Sequence, residues 1–386
     1  MRILRPTRLV LIALLVFVAV GAAGATASPA PAALTRRDRI GVAFARVVIE
    51  GQQIESQSLH TYNLAALQLG WYSDWSYNAH PQQPGDVGDG PLLEYVQLIT
   101  VRDNQWPPNW SAIQTAATTR RGSLWIIGNE PECPNQGNLT PQVYATRYHE
   151  AVTNLRSYDS SARFAIGGVV EPTPLRLRWL VAAMTSYQTQ FGHAMANDID
   201  LWNIHLQILP EGPGTVGAGE PVGISFVPGE PREYSWADAA NVAVFQSLVR
   251  DMRVWMAAKG ERAKPLIISE MGVLMPSYIL VDDGSLTEAE RTELGDRLIE
   301  QYLTQTFDWL LSARSASTGC STDDNLLVQR WLWFSLNDSF YDEATNPSGF
   351  NGALFDYQTQ TLTRFGRRFV AYQAQTQRLF LPLSRR

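Results

Sequence analysis

Eight short apolar runs, separated mostly by longer segments of helical pattern, constrain this chain more than any other feature. The runs are Arg39 to Ala45, Leu67 to Ser73, Tyr95 to Val101, Ser123 to Asn129, Arg163 to Val170, Asp200 to Leu206, Pro265 to Glu270 and Gln329 to Ser335. They are rich in β-branched and aromatic residues and mostly lack polar/apolar alternation. That is the pattern of strands buried on both faces in a parallel sheet. Three intervening helices carry clear punctuation. Thr140-Pro141 is an N-cap followed by proline in the first turn, leading into Val143 to Tyr158. Thr287 and Glu290 form a capping box ahead of a pattern ending near Leu311. Val244, Leu248, Met252 and Trp255 fall at helical spacing within Ala239 to Ala258, and Gly260 follows as a stop. Strand and helix alternating eight times predict an α/β fold, a single (β/α)8 TIM barrel over residues 39–378, with a doubly wound open sheet as the alternative. Two long segments, 207–236 after strand six and 271–286 after strand seven, are then expected on the C-terminal face.

The ends of the chain read differently. Arg2, Arg5 and Arg8 precede an apolar stretch from Leu9 to Gly24, and Ala25-Thr26-Ala27 fits small-residue cleavage before Ser28. Residues 1–27 therefore read as a secretory signal, 28–38 as a linker and 379–386 as a C-terminal tail. The expected destination is the exterior or the cell surface. The apolar stretch lies near the lower limit of about 17 residues for a membrane span, so an uncleaved anchor is the alternative. The net charge is −6 and there is no basic tract, which argues against nucleic acid as a partner. On a barrel, Cys133 would sit on the top face and Cys320 on the bottom, too far apart to bridge, so two free thiols are expected. The five histidines show no metal-ligand spacing. Neither a metal nor an organic cofactor is implied.

Two strand ends carry chemistry. Trp125-Ile126-Ile127-Gly128-Asn129-Glu130-Pro131 is an apolar run stopping at an Asn-Glu pair, and Leu266-Ile267-Ile268-Ser269-Glu270 repeats the device. On a barrel, the ends of strands four and seven face each other across the central cavity. Two facing carboxyl groups are what glycosidic cleavage needs: an acid for the leaving oxygen and a second carboxylate as nucleophile or base. Each Glu also has a plainer reading, Glu130 as a helix-entry carboxylate and Glu270 as half of a structural ion pair. His205, closing strand six, could orient a carboxylate, bind a hydroxyl, or be a satisfied interior histidine. Asp74, Trp71 and Trp75 at the end of strand two are candidate substrate contacts, and either Trp could equally be packing. Glu132 reads as a loop residue, and Glu171 as a further acid that could line the cleft.

Asn-Glu-Pro closing strand four and Ser-Glu-Met-Gly closing strand seven resemble the clan of retaining barrel glycosidases (clan A) whose catalytic residues lie on those strands. The resemblance implies Glu130 as acid/base, Glu270 as nucleophile, Asn129 as a ligand of the sugar 2-hydroxyl, and Trp333 in Trp331-Leu332-Trp333-Phe334-Ser335 as the site's floor. More narrowly, Trp71-Tyr72-Ser73-Asp74-Trp75, Gly128-Asn129-Glu130-Pro131 and Trp202-Asn203-Ile204-His205 resemble family 128-like glycoside hydrolases, several of which act on β-1,3-glucan. His205 departs from the clan, where a Tyr usually stands beside the nucleophile. The implied protein is an exported retaining glycosidase with a carbohydrate substrate. The alternative is a catalytically inactive carbohydrate-binding protein on the same scaffold. An esterase is disfavoured because no G-x-S-x-G elbow occurs.

Overall fold

The computed structural model describes residues 33–45, 48–49, 52–53, 58–83, 92–211, 217–227, 234–342, 346 and 349–380. The expected signal, residues 28–32 of the expected linker and 381–386 of the expected tail lie outside the described residues. Residues 34–386 form one compact unit. No helix among the described residues is long and apolar enough to cross a membrane.

All eight apolar runs contain strands. They are β1 (Ile40–Ala43), β2 (Trp71–Ser73), β3 in two pieces (Glu94–Tyr95 and Gln97–Ile99), β4 (Leu124–Asn129), β5 (Arg163–Gly168), β6 (Trp202–Leu206), β7 (Leu266–Met271) and β8 (Arg330–Trp333). A two-residue hairpin, Val48–Ile49 with Gln52–Gln53, was not foreseen. Neighbouring strands are parallel and follow the cyclic order of an eight-stranded barrel, but the ladder is not a closed ring. One sheet runs β3 (first piece)-β2-β1-β8-β7-β6, and the other β3 (second piece)-β4-β5. The two part at Val96, between the pieces of β3. Opposite, β5 and the β6 run touch only through isolated parallel bridges, Ala165 to Leu201 and Val169 to Ile204.

Among the described residues, besides a single turn at Arg36–Arg39, six α-helices flank the strands: α1 (Trp110–Thr119), α2 (Pro141–Tyr158), α3 (Pro174–Phe191), α4 (Val242–Ala258), α5 (Glu288–Ser312) and α6 (Arg364–Phe380). The expected eightfold alternation fails early. Among the described residues, the short hairpin and two 3-10 turns, Leu59–Thr61 and Ala65–Leu67, lie between β1 and β2, and no α-helix separates β1 from β2 or β2 from β3. The punctuation holds. Thr140 caps α2, accepting from Val143 N at 3.4 Å, and Thr287 and Glu290 form the capping box of α5. Gly260 takes φ +80° just past α4, a left-handed conformation that suits glycine.

The core has two layers. Trp71, Val96, Leu98, Leu124, Ile126, Ala165, Leu201, Ile267 and Leu332 pack together inside the ring of strands. The larger layer lies between strands and helices and includes Trp125, Ile127, Trp202, Phe307, Trp331 and Trp333. Because side chains alternate along a strand, Leu332 points inward while Trp331 and Trp333 face the helices. Cys133 and Cys320 are buried and unpaired, as expected.

Candidate active site

A cavity of about 600 Å³ opens where the strands end, within the roughly 300–1,000 Å³ usual for ligand sites. Asp74, Trp75, Asn129, Glu130 and Glu270 line it. Leu209, Gly217 and Ala218 from the segment after β6, and Leu274 from the segment after β7, contribute walls.

Local backbone chemistry aims each group. Gly128 has φ +102° and Glu130 φ +39°, so β4 ends in a sharp turn held by Cys133 N and Gly137 N donating to Glu130 O at 3.1 and 3.0 Å. A left-handed non-glycine residue of this kind is strained and typical of functional sites. Glu270 is presented differently. The pairing of β7 with β6 shifts register between Ile268 and Glu270, and such irregularities re-aim side chains beside active sites. Ser269 N, displaced from the ladder, donates to Asn203 Oδ1 at 3.2 Å. Gly168 leaves room for the histidine, since a Cβ there would sit 2.3 Å from His205 Cδ2.

His205 lies between the two acids. Its Nδ1 is 2.9 Å from Glu130 Oε1 and 3.6 Å from Glu270 Oε2. Glu270 also accepts from Trp75 Nε1 at 2.5 Å and from Gln207 Nε2 at 3.4 Å. Burial nonetheless raises the Glu270 pKa to about 6, helped by the Glu130 charge and opposed by the His205 cation and the two donors. Burial works against a charged His205, but the Glu270 and Glu130 carboxylates outweigh it and its pKa is raised. The two carboxyl groups thus favour the charged form of the imidazole between them. Asn129 Oδ1 is buried without a hydrogen-bond partner, as suits a group meant for a ligand hydroxyl.

Several sequence-based assignments need correction. Trp333 is not the floor of the cavity. It is fully buried, donates through Nε1 to Gly352 O at 2.8 Å and packs on Phe307 of α5. Strand parity puts it on the helix side, and Phe334, one residue later, lines the cavity. Trp71 is not a substrate contact. Its ring lies inside the ring of strands, its indole donates to Arg39 O at 3.2 Å, and the Arg330 guanidinium lies 4.4 Å from the ring centroid. Asp74 lines the cavity, with Oδ1 accepting from Ser76 Oγ at 2.7 Å and Tyr95 Oη at 2.6 Å. Glu132 and Glu171 are both fully buried, so neither is a surface loop acid or a cleft acid.

The sequence reading missed Gln207, Phe334, Asp338 and Phe350. Gln207 follows His205 by two residues and shares its face, so strand parity was a usable signal. Asp338 lines the cavity from the segment after β8, and burial raises its pKa to about 6; no sequence pattern announces it. Two donor sets are also close enough to share an ion, Glu130 with His205 and Glu270, and His149 with His193 and Asp198, each with its ligand atoms within 4.8 Å of one another. The second joins helix, loop and turn residues that local sequence spacing does not reveal.

The profile of the glycosyl hydrolase catalytic core matches residues 41–208. This protein is a glycosidase. Its matched segment runs from β1 past β6 and includes Glu130 and His205. No curated protein matches the sequence. Solved structures similar to the chain include a mutant GH128 subgroup I endo-β-1,3-glucanase from Amycolatopsis mediterranei in complex with laminarihexaose, at 16% identity and TM-score 0.49, covering 86% of this chain and 99% of that one. A curdlan-specific GH128 subgroup III exo-β-1,3-glucanase from Blastomyces gilchristii, in complex with glucose, aligns at 15% identity and TM-score 0.48, covering 87% and 99%. A GH128 subgroup II endo-β-1,3-glucanase from Sorangium cellulosum aligns at 13% identity and TM-score 0.48, covering 86% and 98%. At these identities the argument rests on the glycosidase's own site.

Proposed function

We propose that this glycosidase is a retaining enzyme of the (β/α)8 clan whose acid and nucleophile stand on strands four and seven, with Glu130 as acid/base and Glu270 as nucleophile. One observation carries the reading: both carboxyl groups line one cavity, with an oxygen of each within 4.8 Å of the other and of His205 Nδ1. Retaining enzymes place their carboxyl groups about 5–5.5 Å apart, whereas inverting enzymes need about 6.5–9.5 Å to admit a water. The separation favours retention.

In the first step Glu270 attacks the anomeric carbon as the glycosidic C–O bond breaks, and Glu130 gives its proton to the departing oxygen. In the second, Glu130 takes a proton from water, the hydroxide oxygen attacks the same carbon, and Glu270 leaves. Trp75 and Gln207 orient the nucleophile. His205 stabilises charge on whichever carboxylate carries it, and Asn129 is placed for the sugar 2-hydroxyl. The substrate reading, a β-linked glucan with β-1,3-glucan first, rests on the motifs around Trp75, Glu130 and His205. Export rests on the pattern of residues 1–27.

The test is reducing-end release from a polysaccharide panel centred on β-1,3-glucan by wild type and Glu270→Gln. Release that the folded variant loses supports the reading. Equal release by both removes Glu270 from the mechanism. Binding without release by either protein favours a carbohydrate-binding role for this centre.

A further inference from the structure

Directly behind the wall beside Glu130 lies a second buried ionic cluster that the reaction does not use. Arg176 of α3 is fully buried and is shared among Glu132, Glu171 and Glu211, each fully or almost fully buried. Its Nε lies 3.3 Å from Glu211 Oε1 and 3.7 Å from Glu132 Oε1. Its Nη2 donates to Ala218 O at 2.7 Å and Gly219 O at 3.1 Å. Three carboxylates and one guanidinium would leave two uncompensated negative charges out of water, which is too costly to hold. Burial instead favours the protonated acids, pushing Glu132 up to about 7 and Glu171 well above the usual carboxylate range.

The geometry shows what is being held. Ala218 lines the catalytic cavity with Gly217 and Leu209. Apart from Arg176, the segment is tied down by Ala218 N to Pro210 O at 3.0 Å, Val222 N to Glu132 O at 2.9 Å, and Trp179 Nε1 to Val222 O at 3.0 Å. Gly217 has φ +149°, and a Cβ there would meet Pro210 O at 2.4 Å, so the chain doubles back tightly. The clamp is itself anchored, since Thr173 Oγ1 donates to Glu211 Oε1 at 3.0 Å while capping α3.

We propose that Arg176 is a positioning residue that sets substrate specificity, its fork fixing the Gly217–Val222 segment as the rigid wall of the cavity beside Glu130. This rests on the glycosidase reading of that cavity. A lysine would keep the charge but present one compact ammonium, unable to serve Glu211 and two carbonyls together. For Arg176→Lys we expect KM on polymeric β-1,3-glucan to rise about tenfold with kcat within about threefold, the signature of lost uniform binding. Hydrogen exchange at the Val222 amide should quicken by about tenfold or more, because its hydrogen bond opens with the loop. Exchange in the free protein needs no substrate, so it tests the clamp even if no glucan is cleaved. Unchanged Val222 exchange in folded Arg176→Lys overturns the proposal, and so does faster exchange with unchanged KM. If Arg176→Lys does not fold, Glu211→Gln removes one charged arm at constant shape. A smaller rise in the same exchange rate then supports the clamp, and none overturns it.

Discussion

Two buried charge clusters stand side by side at the top of the strands, and their difference is instructive. Glu130, His205 and Glu270 put two acids around one cation and open on the cavity, while Glu132, Glu171 and Glu211 put three acids around Arg176 and are sealed. Both use the same residue types in low dielectric. In the first, the cation is a histidine that can release its proton, and the acids keep accessible oxygens. In the second, the cation is permanent, and its Nη2 donates to the Ala218 and Gly219 carbonyls. Burial alone does not mark a catalytic acid. Access, together with a titratable partner, does.

The largest effect expected is on turnover. Glu270→Gln should lower kcat by three orders of magnitude or more, about 4 kcal/mol of barrier, with an unchanged circular dichroism spectrum. A comparable loss from Glu171→Gln in a folded protein would erase the distinction between the clusters. Next, Glu130→Gln should lower kcat/KM on unactivated glucan by roughly 10²–10⁴-fold and spare kcat/KM on an activated aryl glycoside, whose leaving group needs no proton, while kcat falls because the second step lacks its base. Equal loss of kcat/KM on both substrates would argue against an acid at Glu130.

The third effect is on pH. Glu270 attacks only when ionised and its pKa lies at about 6, so kcat/KM should fall tenfold per unit as pH drops below that value. The His205 cation lowers the Glu270 pKa. His205→Gln removes that charge, so the acidic limb should move to higher pH. A limb that stays in place would mean that His205 is not charged in the free enzyme. The smallest effect separates two neighbouring rings. Trp333→Phe leaves the Gly352 carbonyl unpaired and should cost about 1–3 kcal/mol of stability with KM unchanged, whereas Phe334→Ala should raise KM. The reverse pattern would restore Trp333 to the cavity.

Much of this was legible in the chain. The eight strands, the caps at Thr140 and Thr287 and the meeting of Glu130 with Glu270 follow from apolar runs, N-cap chemistry and strand ends. These are local signals that tertiary packing reinforces. The errors concern facing and partnership. Trp333 is misplaced because a period of two turns a one-residue offset into the opposite face, whereas Trp71 faces inward but at the start of β2, where Arg39 O and the Arg330 guanidinium hold its ring. Glu132 does lie in a turn, between Pro131 and Cys133, but its burial was not legible, because Arg176 of α3 and the segment after β6 supply it. Among the described residues no α-helix flanks β2, and the segments there carry no clear helical pattern.

The most direct test of the central claim is the anomeric configuration of azide adducts formed from an activated aryl β-glycoside. In Glu270→Ala, azide should enter from the face the nucleophile has left and give the α-glycosyl azide. In Glu130→Ala, the glycosyl-enzyme still forms, and azide should displace Glu270 to give the β-glycosyl azide. Those two products would establish Glu270 as nucleophile and Glu130 as acid/base. The opposite assignment, β from Glu270→Ala and α from Glu130→Ala, would contradict the account.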